Sequence, residues 1–139
     1  LRYLGHELAH LWWYRADTNT WEDWLNESLA EYSALRAIRA RVGEDEYERR
    51  LATKRETARG TPPIHGFDRN GEHAEAVLYS KGPVLLAELE SRIGAHAFRA
   101  FTRALFERRI DTTDRFLDAL ETLEGPATRS WFEEQLRTR

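Results

Sequence analysis

From Arg2 to Gly43 the chain reads RYLGHELAHLWWYRADTNTWEDWLNESLAEYSALRAIRARVG, two apolar-periodic stretches parted by the polar run Ala16-Asp17-Thr18-Asn19-Thr20. Apolar residues recur in both at helical rather than alternating spacing. This predicts one helix over about Arg2 to Arg15 and a second over about Glu22 to Val42, ended by Gly43. The residue types between them favour a turn by bonding their own backbone, and a short turn folds the second helix back antiparallel to the first. Trp12, Trp13, Trp21 and Trp24 fall at that corner and are expected to pack it.

Outward from this pair the same periodicity persists, and no window alternates like a strand, so the fold class is all-α with about six to seven helices. A charged third helix opens at Glu44 with acids at its N-terminal end, where the macrodipole favours them, and fades near Gly60. Residues 61–71 form the one long loop. Further helices are expected at about Ala74 to Ile93, Ala95 to Arg108, Thr113 to Leu123 and Ala127 to Arg137, separated by Gly94, Asp111-Thr112 and Gly125-Pro126. No repeat or low-complexity tract interrupts them.

Composition narrows the function classes. The 139 residues suit one domain with a single core, expected over 1–139. Twenty-one basic against 24 acidic residues leave a net charge of −3 without long blocks of one sign, which argues against nucleic acid as a partner. No stretch approaches the roughly 20 apolar residues of a membrane span. With no cysteine there is neither a disulfide framework nor a thiolate metal site, and localisation stays open. Nineteen arginines against two lysines read as composition bias. A chain that opens at Leu1, contains no methionine and shows no signal-peptide layout is expected to be a fragment or a processed domain.

His6-Glu7-Leu8-Ala9-His10 is the pattern His-Glu-x-x-His inside a helical stretch, and this composition would produce about 0.02 such matches by chance. Four residues advance a helix by about 400°, so both imidazoles can address one tetrahedral zinc. Glu7 is then placed to act as general base on an attacking water. Two ligands are too few, and Glu27 in Trp24-Leu25-Asn26-Glu27 supplies a third from the second helix. Glu31, one turn on, either accepts a hydrogen bond from a ligand histidine or remains a solvated or ion-paired carboxylate. His65 and His73 flank the loop and are expected at the surface.

His-Glu-Leu-Ala-His followed by Trp-Leu-Asn-Glu closely resembles the gluzincin metallopeptidases, specifically the aminopeptidase N family, in which that glutamate completes the zinc site. Tyr79-Ser80-Lys81-Gly82 resembles the family's Tyr-x-Lys-Gly. The resemblance implies that Tyr79 stabilises the oxyanion formed during peptide-bond hydrolysis. Thr112-Thr113-Asp114-Arg115-Phe116 and the stretch Ser130 to Leu136 are more weakly similar to helices that close the family's catalytic domain.

By resemblance, then, the chain is a helical zincin-type subdomain that binds one Zn²⁺ and takes peptide substrates, removing N-terminal residues in the full-length protein. Thermolysin-like endopeptidases share the two-helix site and an acid four residues beyond the ligand glutamate. A non-catalytic helical interaction domain derived from such a peptidase is a further alternative. Three departures stand out. Sixteen residues separate His10 from Glu27, two fewer than the family's usual spacing, and Ser28 stands where glycine is common. The upstream Gly-x-Met-Glu-Asn motif, which lies in the family's β-sheet portion and grips the substrate's α-amine, is absent.

Overall fold

The computed structural model describes residues 2–138. Among them the fold is all-α, with seven helices and no strand. Helix α1 is Arg2–Ala9, α2 is Trp24–Arg41 and α3 is Glu44–Ala58. Helix α4 occupies 74–93 in three pieces: an α turn at Ala74–Ala76, a π turn at Val77–Lys81 and a regular portion at Gly82–Ile93. Helices α5 (Ala95–Glu107), α6 (Thr113–Glu124) and α7 (Pro126–Arg137) complete the chain.

Helix α2 is the axis of the molecule. Trp24, Leu25, Leu29, Tyr32, Ala34, Leu35 and Ile38 point to every side of it, and all are buried. A helix apolar all round must be enclosed, and α2 packs against α1, α3 and α4. Its N-terminal end meets an aromatic cluster from the C-terminal helices. Phe116 lies 5.2 Å from Trp24, 5.0 Å from Phe101 and 5.1 Å from Phe132, ring centre to ring centre. Thr113 sews the two parts together. Its hydroxyl accepts from Trp24 Nε1 at 2.8 Å and donates to Glu22 at 2.6 Å, and its backbone N–H donates to the same carboxylate oxygen. Gly94, at φ 90°, lets α5 start where α4 stops, in a conformation that costs a side-chain-bearing residue strain.

Four expectations need correction. Helix α1 ends at Ala9 rather than near Arg15, and residues 10–12 tighten into i→i−3 bonds. Tertiary contacts impose that stop. Asn26 holds Ala16 at both its N–H and its carbonyl, which draws the chain away from the helical path. As a result 61–71 is not the one long loop, since the α1 to α2 connection is also long. Trp12 does not pack the corner: it is 48% exposed, whereas Trp24 is fully buried and Trp13 and Trp21 lie against the core. The fourth correction is the π turn within 74–93, which reads in sequence as uninterrupted helix.

Candidate metal centre

His6 is the last-turn histidine of α1 and is buried, while His10 sits just past the helix end. Because their Nε2 atoms are 3.1 Å apart, the helical spacing survives the early stop. Glu27, in the first turn of α2, brings Oε2 to 3.2 Å from His6 Nε2 and 3.6 Å from His10 Nε2. The edge of a tetrahedron around an ion held at about 2.0–2.1 Å is about 3.3 Å. The triangle therefore has the size such an ion requires.

The hydrogen bonds behind the rings decide what the triangle is. His10 Nδ1 faces the carbonyl oxygen of Trp13 at 2.9 Å, and a carbonyl only accepts, so the proton sits on Nδ1. His6 Nδ1 faces Glu31 Oε2 at 3.0 Å, with the same consequence. In the neutral form of both rings the Nε2 atoms present lone pairs, and Glu27 Oε2 is buried without a hydrogen-bond partner. Three lone pairs converge with no proton between them. An orphaned buried carboxylate oxygen is costly, and a cation among these atoms removes that cost. Among the described residues, His6, His10 and Glu27 form the one group of this kind close enough to share an ion.

Glu31 is only 2% exposed and so is not solvated; of the readings left open, the structure shows both the hydrogen bond with a histidine and the ion pair. It orients His6 with one oxygen and takes an ion pair from Lys54 at 2.7 Å with the other. Glu7 follows His6 in the chain and is exposed. Tyr79 lies within the π turn, its ring 5.6 Å from that of His6. Burial first, then the charge and hydrogen bond of Glu27, hold its phenol well above the usual tyrosine range, so it remains a protonated donor.

Several supports went unseen in the sequence. Ser28 donates to the Leu78 carbonyl at 2.7 Å and is packed so tightly on Gly82 that a Cβ there would come within 1.9 Å of its Oγ. Buried Asp23 pairs with Arg69 at 2.7 Å and ties the 61–71 loop to the start of α2. His65 and His73 are both exposed and neither belongs to the triangle; the His65 ring lies tilted against that of Trp21, with centres 4.7 Å apart. Lys54, on a helix that reads as charged and solvent-facing, carried no motif to mark it.

The model of the peptidase family M1 domain matches residues 2–134. The chain belongs to this family. Its fold is similar to that of an M1 zinc metallopeptidase from Deinococcus radiodurans, at 24% identity and a TM-score of 0.85 over 99% of this chain and 33% of that one. A glutamate-to-alanine variant from the same organism, bound to a Tyr-Ser-Ala substrate, is similar at 23% identity and a TM-score of 0.83, with the same coverage. So is a two-domain M1 variant bound to L-tryptophan, at 23% identity and 0.84, again covering 99% and 33%. The chain thus spans about a third of the length of these family members. No curated protein sequence matches it significantly.

Proposed function

We propose that this M1 chain carries the catalytic centre of a zinc peptidase that removes N-terminal residues from peptides, with one zinc held by His6, His10 and Glu27. The observation that carries the proposal is the convergence of two Nε2 lone pairs and an unpartnered Glu27 oxygen, with both Nδ1 protons committed behind them. Zinc bound there supplies a Lewis acid that polarises the peptide carbonyl and makes water easier to deprotonate. Glu7 takes the proton of the attacking water and hands it to the leaving amine. Tyr79 donates its phenolic hydrogen to the oxyanion. Glu31 fixes the ring of His6.

Family membership together with Tyr79 beside the triangle favours the aminopeptidase reading over an endopeptidase. The D. radiodurans variant with a bound Tyr-Ser-Ala shows that an M1 protein of this fold accepts a short peptide. Two measurements on the whole protein test the proposal. Metal analysis after purification without added metal should find about one zinc per chain, lost in His6→Ala. Acetylating a substrate's N-terminus should abolish its cleavage. A zinc-free wild type with intact helicity would overturn the metal assignment, and cleavage of the blocked peptide would make the protein an endopeptidase.

A further inference from the structure

Lys54 is one of two lysines in a chain with nineteen arginines, and α3 carries it inward to 8% exposure. A buried ammonium is costly unless it is paired and hydrogen-bonded. Two of the partners of Lys54 come from different elements, Glu31 from α2 and Tyr79 from the π turn. Nζ donates to Glu31 Oε1 at 2.7 Å, while Glu31 Oε2 holds the Nδ1 proton of His6. Nζ also donates to the backbone carbonyl of Tyr79.

That carbonyl is free of its ordinary helical partner for a covalent reason. Its i+4 donor would be residue 83, and Pro83 has no N–H. The preceding carbonyl, of Leu78, is affected as well, because the Gly82 N–H that would serve it bonds to Val77 in the π turn. Ser28 of α2 caps the Leu78 carbonyl, and Lys54 of α3 caps that of Tyr79. The π turn is thus held from both flanking helices by side-chain donors where the helical ladder is broken.

We infer that Lys54 is a positioning residue that sets the placement of the Tyr79 hydroxyl relative to His6. The inference rests on the zinc-peptidase reading. His6, Glu31, Lys54 and Tyr79 form a closed circuit whose last side is the 5.6 Å contact between the His6 and Tyr79 rings. One ammonium grips both the orienter of a metal ligand and the backbone of the oxyanion donor. Lysine suits this junction because its three donors radiate from a single nitrogen, whereas the planar fork of arginine spreads its donors over several ångströms. Misplacing a reacting group by about 1 Å can cost about 10²-fold in rate.

The test compares Lys54→Met, Glu31→Gln and wild type in the whole protein. Zinc affinity is measured by chelator competition, ligand geometry by the visible spectrum of the cobalt(II)-substituted protein, and kcat and KM at saturating zinc. Lys54→Met should weaken zinc binding about 10- to 100-fold, the usual effect of losing a partner behind a ligand, and should alter the cobalt spectrum. Its zinc-saturated kcat should fall about 10- to 10²-fold with KM within about twofold, because Tyr79 is displaced and substrate binding is not. Glu31→Gln should weaken zinc similarly but lower kcat less, since Lys54 still holds the Tyr79 carbonyl. If Lys54→Met does not fold, Lys54→Gln, whose shorter amide can serve one partner at most, should give the same pattern. A Lys54 variant that lowers Tm but leaves affinity, spectrum and kcat at wild-type values overturns the inference, as does failure of both variants to fold. In those cases wild type still binds zinc and cleaves peptides, so the peptidase reading stands. A wild type without zinc or activity overturns both.

Discussion

The two halves of the molecule bury different chemistry. Of the ten polar residues buried among those described, nine lie before Gly94, and His6, Asp23, Asn26, Ser28, Glu31 and Lys54 cluster around the α1–α2 corner and α3. After Gly94 the buried set is Phe98, Phe101, Leu105, Phe116, Leu117, Ala119, Leu120, Phe132 and Leu136, with Thr113 the one polar member. Apolar burial repays chain entropy directly, whereas every buried polar group must first recover its desolvation cost through a partner. The C-terminal half is held by apolar contacts almost alone, whereas the other half, which buries more apolar residues in number, must also find a partner for each of its buried polar side chains. Variants in the two halves should therefore fail in different ways.

Glu7→Gln should have the largest effect, a loss of about 10²- to 10⁴-fold in kcat, the range of general-base catalysis. Its zinc content and Tm should match wild type, because Glu7 is exposed and outside the triangle. Retained turnover would remove Glu7 from the role. In the other half, Phe116→Ala should cost about 3–5 kcal/mol in urea unfolding, since it empties the middle of the Trp24, Phe101 and Phe132 cluster. Zinc affinity of the molecules that remain folded should not change. If it drops with stability, the halves are coupled and the contrast is too sharp. Tyr79→Phe should lower kcat by about 10²-fold or more without loss of zinc, as expected for one oxyanion donor. An unchanged kcat would make Tyr79 a packing residue of the π turn.

What could be read in advance divides along the same line. His6 and His10 were legible as a pair because an i, i+4 relation is local, and Glu27 was legible because α2 folds back on α1, though through a longer connection than the short turn expected. The all-α class followed from periodicity, and the count of about six to seven helices from periodicity together with caps and breakers. Helix α1 was drawn too long because its end is set by Asn26 gripping Ala16 ten residues away, which propensity does not register. The π turn was hidden within apolar periodicity. Its visible trace was Gly82-Pro83, the one place in the 74–93 stretch where a helix loses an N–H donor. Lys54 reaches Glu31 across 23 residues and Tyr79 across 25, from a helix whose pattern looks solvated. Its trace was compositional: a chain that uses arginine nineteen times places both of its lysines against backbone carbonyls around the Tyr79 segment, Lys54 on Tyr79 and Lys81 on Thr61 and Pro62.

The smallest expected effect lies at the seam between the halves. Thr113 takes the indole proton of Trp24 and gives its own to Glu22, so Thr113→Val keeps the shape but leaves a buried indole N–H without an acceptor. Glu22 keeps the Thr113 backbone N–H, which limits the damage. The cost should be about 1–3 kcal/mol in urea unfolding, the price of one unsatisfied buried donor. Trp24 begins the turn of α2 that carries Glu27, so the variant also asks whether the seam transmits strain to the triangle. Zinc affinity within about twofold of wild type would mean that Asn26 and the Asp23–Arg69 pair anchor that turn without help from the C-terminal helices. A tenfold loss of affinity would make Thr113 the point through which the apolar half supports the metal centre.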